Sequence, residues 1–218
     1  MEGKQYLDSE AISYLKDRDE RLAKVIEHIG TLKPSTYNSS KDSFLFLTRE
    51  IIGQMISANV KKVILNRLNE LCQNNITPDA IRKLKIEELR NIGLSKAKST
   101  YILNLASVVL EGGIDFEGLR ELPDEKVLEI LTSIRGVGNW TAKMYLLFFL
   151  QREDILPYED GAFLQAYKWL YNTTVIKPES IKRKCKRWKP YTSIGARYMY
   201  RALDTGLTKV PIKAFLST

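Results

Sequence analysis

The sequence predicts an all-α protein, on three observations. Apolar residues recur at helical spacing along most of the chain, as in AISYLKDRDERLAKVIEHIG and DSFLFLTREIIGQMISANVKKVILNRLNELCQ. One kind of helix start, proline followed by an acid, recurs in TPDAIRKL, LPDEKVLEILTSI and KPESIKRKCKRW. No convincing run of alternating apolar and polar residues marks a strand, and no internal repeat stands out.

Each element follows from its own signals. The first helical stretch, AISYLKDRDERLAKVIEHIG, ends at Gly30, a plausible cap. TLKPSTYNSSKDS then clusters Asn, Ser and Pro and reads as a linker. The long amphipathic stretch from Asp42 to Gln73 predicts one or two helices. Thr77 reads as an N-cap with Pro78 at the first helical position, and Ser95 opens a helix that stops at Gly112 and Gly113. LPDEKVLEILTSI, the turn around RGVG and NWTAKMYLLFFL predict helix, tight turn, helix. Further helices are expected in GAFLQAYKWLY, PESIKRKCKRW and ARYMYRAL.

Composition bounds the partners. Lys and Arg number 34 against 26 Asp and Glu, a net charge of +8, which favours a polyanion or simply aids solubility. Between Gly161 and Leu203 stand ten basic residues (Lys168, Lys177, Lys182, Arg183, Lys184, Lys186, Arg187, Lys189, Arg197 and Arg201) and a single acid, Glu179. Aromatics are interleaved there at Tyr167, Trp169, Tyr171, Trp188, Tyr191, Tyr198 and Tyr200, which a solvated charge run rarely shows. Basic side chains hold phosphates, and aromatic rings stack on bases. Cys72 and Cys185 are too far apart in sequence for a CxxC site, and with His28 as the only histidine a zinc site is disfavoured. The polar start MEGKQYLDSEAISYL has no signal-peptide core, and no run is apolar enough to span a bilayer. The expectation is a soluble intracellular protein.

The stretch IRGVGNWTAKMYLLFFL places Gly136 and Gly138 between two helices. Glycines there either make an ordinary helical corner or leave backbone N–H groups open at a helix mouth, where they suit a phosphate. Asp160 follows in PYEDGAF, after Pro157 and before the next helix. It reads as an N-cap, as a functional carboxylate or as both, with Glu159 the alternative exposed acid.

Together these residues resemble the helix–hairpin–helix DNA glycosylase superfamily, in its 3-methyladenine DNA glycosylase II branch. IRGVGNWTA, with Asp160 twenty positions after Trp140, is similar to that branch's hairpin and essential aspartate. YLKDRDERLAKVIEHIG, IIGQMIS, IGLSKAKSTYILNLA and RWKPYTSIGARYMYRAL resemble four other segments of its shorter members, in order, over residues 7–204. The resemblance implies two helical subdomains flanking a DNA-binding cleft. The expected divisions are 1–40, an N-terminal helix and linker packing on the C-terminal subdomain; 41–130, a helical subdomain with a wedge; and 131–218, with hairpin, aspartate and basic helices.

What the resemblance implies is a monofunctional N-glycosylase acting on alkylated purines in double-stranded DNA, as a monomer, in the cytoplasm or in a nucleus. Asp160 would support positive charge on the sugar and orient water. Trp140, Tyr200 and Tyr145 would line the base pocket, each with core packing as the alternative. Met55 would plug the gap left by the flipped base, or sit in the core, with Gln54 facing the DNA beside it. Gly136, Gly138, Thr141 and Arg135 would meet a phosphate. A structural monovalent cation would rest on the carbonyls of Thr132, Ile134 and Val137. No catalytic cofactor is implied. Tryptophan stands where bifunctional relatives carry their lysine, so no lyase step is expected, and two cysteines are too few for the relatives' iron–sulfur cluster. Two departures stand out: Arg135 replaces a common proline, and no β-rich N-terminal domain precedes the helices. The rival readings are a same-fold glycosylase for a deaminated or oxidised base, a non-catalytic lesion binder and a basic interaction protein.

Overall fold

The structure, a computed structural model, describes residues 9–32 and 42–217. Most of the predicted linker, 33–41, lies outside the described residues. Among the described residues there are helices and turns and no strand. They form two units. One takes the described residues of Met1–Thr36 and Gln151–Thr218, the other those of Tyr37–Leu150.

In the first unit, α1 (Ser9–Arg18) and α2 (Glu20–Ile29) replace the single helix expected from the periodicity. Asp19 breaks it: its φ of −144° is extended, and its carboxylate accepts from the N–H of Leu22 at 3.2 Å, a side-chain cap. Gly30 then ends α2 with a φ of 68°. Asp19 is buried and also accepts from Trp188 Nε1 at 3.0 Å and from the Tyr171 hydroxyl. Buried polar groups are expensive unless bonded, and this carboxylate is bonded from three sides. The unit is completed by α10 (Gly161–Tyr171), α11 (Pro178–Cys185), α12 (Thr192–Asp204) and α13 (Ile212–Leu216). Its core includes Leu15, Leu22, Phe163, Leu170, Trp188 and Tyr198, all fully buried.

The second unit holds α3 (Ser43–Gly53), α4 (Ala58–Leu71), α5 (Pro78–Arg82), α6 (Ile86–Asn91), α7 (Lys96–Leu110), α8 (Asp124–Ser133) and α9 (Asn139–Met144). Thr77 caps α5 and Ser95 caps α7. After α9 the chain widens into a π-helical turn, Tyr145–Phe149. This apolar run explains why the hairpin groups with residues 37–150 and not, as the expected boundary at 130 had it, with 151–218. Tyr145 and Phe149 stack at 4.6 Å and both meet Phe46 of α3, at 5.8 and 5.4 Å between ring centroids.

Candidate nucleic-acid interface and catalytic carboxylate

Three pieces of the second unit converge on the hairpin. Residues Ile134–Gly138 turn the chain from α8 into α9, with the N–H of Val137 bonded to the Ile134 carbonyl at 2.9 Å. Gly136 has a φ of 100°, a region L side chains rarely enter, and a Cβ there would stand 2.4 Å from Cβ of Tyr101. Gly138 differs. Its φ is −91°, and nothing lies within 4 Å of where its Cβ would be. The chain itself does not require glycine at 138, so the position is open to an outside group.

Beside the hairpin, α3 ends in a tight turn. Gln54 has φ −54° and ψ 127°, Met55 has a φ of 55°, and the Ile56 N–H reaches the Gly53 carbonyl at 3.4 Å. This is the pattern of a type II turn, whose third position favours glycine. Here it holds a methionine that is fully exposed, at 101 % of its reference area. An apolar side chain in water on a strained backbone is not a core residue, so the core alternative for Met55 is excluded by its position.

Gln54 does not face outward as expected. Its Nε2 donates to the Gly136 carbonyl at 3.0 Å and to Thr141 Oγ1 at 3.1 Å, tying the turn to the hairpin. Thr141 is accordingly buried, 1 % exposed, and its hydroxyl is engaged inside the protein, not displayed to a phosphate. Lys98, which the sequence marked only as the end of the GLSKAK segment, fixes the same turn from α7. Its Nζ donates to the carbonyls of Ile52 at 2.8 Å and Gln54 at 2.6 Å, and burial lowers its pKa.

Trp140 is half-buried in the first turn of α9, and Arg135 is exposed. Tyr145 is a correction to the pocket set. It is fully buried, its hydroxyl pairs with Ser43 Oγ at 2.8 Å, and burial pushes its pKa up to about 12 against the opposing effect of that hydrogen bond. A ring stacked on Phe149 and enclosed by Phe46 belongs to the core. Thr132 is exposed, while Ile134 and Val137 are buried.

In the first unit, Asp160 caps α10. Its Oδ1 accepts from the Phe163 N–H at 2.8 Å, and its own N–H closes a turn to the Pro157 carbonyl at 3.0 Å. The segment leading to it is pinned to α12. Ser193 Oγ accepts from the Ile155 N–H at 2.8 Å, the Ser193 N–H donates to the Glu153 carbonyl at 2.9 Å, and Asp154 pairs with Lys189 at 2.8 Å and with Thr192. Lys182 of α11 lies 4.4 Å from the ring centre of Tyr158. Asp160 is 8 % exposed, so its carboxylate is nearly enclosed and held in one orientation. Tyr200 is half-buried, its ring 6.4 Å from that of Phe163, whose N–H Asp160 caps. Glu159, the alternative acid, is exposed.

Several proteins share this architecture. The sequence is 26 % identical over 192 residues to DNA-3-methyladenine glycosylase 1 of Schizosaccharomyces pombe, covering 86 % of this chain and 84 % of that one. It is 29 % identical to that organism's alkylbase DNA glycosidase-like protein, covering 88 % and 92 %. The crystal structure of a DNA-3-methyladenine glycosidase from Bacillus halodurans superposes with a TM-score of 0.78 at 28 % identity, over 98 % of both chains. The S. pombe 3-methyladenine DNA glycosylase in complex with abasic DNA superposes with a TM-score of 0.82 at 26 % identity, over 90 % of this chain and 97 % of that one. The family described as HhH-GPD superfamily base excision DNA repair protein matches residues 48–190, the span from α3 through hairpin and aspartate to Pro190, and this chain belongs to that family.

Proposed function

We propose that the chain is a monofunctional DNA N-glycosylase that excises alkylated purines of the 3-methyladenine type from double-stranded DNA in base excision repair. It acts as a monomer wherever the DNA is, in the cytoplasm or in a nucleus. The observation that carries the reading is Asp160, a nearly enclosed carboxylate locked at the mouth of α10 in a chain of this family. The names of the similar proteins, which are 3-methyladenine and alkylbase glycosylases, supply the substrate class.

Alkylation at a purine ring nitrogen makes the base cationic and a good leaving group. The glycosidic C–N bond then breaks with its electron pair going to the base, which leaves neutral. Positive charge develops on the sugar. Asp160 stabilises that charge and orients the water whose oxygen bonds to C1′, the released proton passing to the carboxylate or to solvent. Trp140, and Tyr200 in the other unit, supply aromatic faces suited to a cationic base. Met55 fills the place the base vacates, since a flexible apolar chain packs between base steps. Gly136, Gly138 and Arg135 hold a backbone phosphate, Gly138 by leaving its approach open.

A structural monovalent cation on the Thr132, Ile134 and Val137 carbonyls is part of the proposal. The donors suit it: Thr132 lies in the last turn of α8 and Ile134 and Val137 just beyond it, where the helix dipole favours a cation. The Ile134 carbonyl keeps a second lone pair beyond its bond from Val137. No redox cofactor or iron–sulfur cluster enters the reading.

The test is base release from methylated duplex DNA by the wild type and by Asp160→Asn, with strand breaks scored before and after alkali. The expected result is release by the wild type, a loss of about 10²–10³ or more in the variant, and strands intact until alkali is added. Tight binding without release from any alkylated duplex overturns the proposal and favours a lesion binder or another damaged base.

A further inference from the structure

Away from Asp160, the first unit carries a surface hollow of about 390 Å³ lined by Tyr167, Thr173, Val175, Ser180, Arg183, Lys184 and Arg187. Ser180, Arg183, Lys184 and Arg187 stand at i, i+3, i+4 and i+7, so they share one face of α11 and the turn that continues it. The neighbouring face is the anchor, with Ile181, Cys185 and Trp188 buried. No acidic side chain lines the hollow, and Glu179, the one acid nearby in sequence, is exposed outside it.

This arrangement costs the free protein something. Arg183 and Arg187 are like charges one helical turn apart, which repel, and Lys184 sits beside them with its Nζ 4.7 Å from the Tyr171 ring centre. An anion in the hollow relieves that repulsion. Two guanidinium groups match a phosphate by their planar forks, and Ser180 and Thr173 line the same space. Val175, half exposed at the hollow, offers an apolar surface beside the anion, where a sugar would lie. Lys182 and Lys186 leave other sides of the same segment and Lys189 pairs with Asp154, so the cations of the hollow are Arg183, Lys184 and Arg187.

We propose that this hollow binds a backbone phosphate of the DNA, at a position separate from the hairpin and from Asp160. α10 has Asp160 at its first end and the hollow at its last, and eleven residues of helix span about 16 Å. The inference rests on the DNA-glycosylase reading for its partner and adds a second grip to it.

The experiment measures the affinity of the full chain for undamaged duplex across a salt series. The variants are Arg183→Gln with Arg187→Gln, and a control, Lys209→Gln with Lys213→Gln, which removes the same charge from exposed positions elsewhere in the unit. Melting curves confirm that both fold. The expected result is a slope of log affinity on log salt shallower by about 0.9 in the Arg183/Arg187 variant than in the control, one phosphate's worth. Equal slopes in the two variants overturn the proposal and leave a solvated basic face. Equal slopes together with stabilisation of the wild type alone by inorganic triphosphate would overturn the DNA assignment in favour of a free phosphorylated ligand. Failure of wild-type base release is a separate outcome that counts against the glycosylase reading, while the slope comparison still decides the hollow.

Discussion

Replacing Gly136 by alanine tests the hairpin at its tightest point. At a φ of 100° an alanine is strained wherever its methyl points, at a cost of about 1–3 kcal/mol. The methyl would also stand 2.4 Å from both Cβ and Cγ of Tyr101. Those atoms are the root of a side chain rooted in α7, so no rotamer change clears the Cβ, and backbone must move. Overpacking of this kind costs about 1–3 kcal/mol, giving about 2–6 kcal/mol in all for Gly136→Ala. For a chain of this size each kcal/mol lowers Tm by about 2–4 °C, so a drop of at least about 4 °C is expected by circular dichroism. Gly138→Ala is the companion, since its methyl meets nothing within 4 Å. It should melt within about 1 °C of wild type, yet bind duplex DNA more weakly, because the methyl occupies the phosphate's approach. A Gly136→Ala protein melting with the wild type would refute the reasoning.

Asp160 has two roles that substitution separates. Asp160→Asn keeps a good cap and should melt near wild type while losing base release, whereas Asp160→Ala should also lose about 1 kcal/mol by thermal unfolding. Tyr145 controls an alkaline limit. Its folded pKa, about 12, lies above the usual 10, so its contribution is complete below pH 10 and fades between pH 10 and 12, as the unfolded chain gains by ionising. Tyr145→Phe should cost about 1 kcal/mol at neutral pH through the lost Ser43 bond, and should flatten the decline in that window in a denaturant series. Lys98→Met removes both bonds to the end of α3 and should speed amide hydrogen exchange at Ile56, whose N–H closes the turn. Unchanged exchange there would mean that the turn holds without Lys98.

The helices and their starts were legible because capping and periodicity are local. Thr77 and Ser95 cap where their sequence contexts require, and Asp160 caps α10 in the place where the sequence left cap and catalyst both open. Met55 could not be placed from periodicity alone, since IIGQMIS continues a helical pattern; only the φ of 55° lifts it out. Gln54 and Tyr145 are ambiguous in the sequence for a related reason. A glutamine beside a wedge and an aromatic after a hairpin look the same whether they face inward or outward, and their partners, Gly136 and Ser43, lie 82 and 102 residues away. The cap that Asp19 makes on Leu22 is local, but its burial left no trace in the sequence, because Tyr171 and Trp188 belong to α10 and the segment after α11. The hollow on α11 was visible only as a basic run; the i, i+3, i+4, i+7 alignment made it a surface.

The Asp19 carboxylate also bears on the order in which the chain can become a protein. Its bonds to Tyr171 and Trp188 close loops of 152 and 169 residues, and loops of that length are slow to close. The unit Tyr37–Leu150 is continuous in sequence and can fold as soon as it leaves the ribosome, before the other is complete. Residues 9–32 are made before that unit yet finish after it. Until residue 188 is synthesised, the carboxylate between α1 and α2 must stay in water, and the helices flanking it wait for a partner at the far end of the chain.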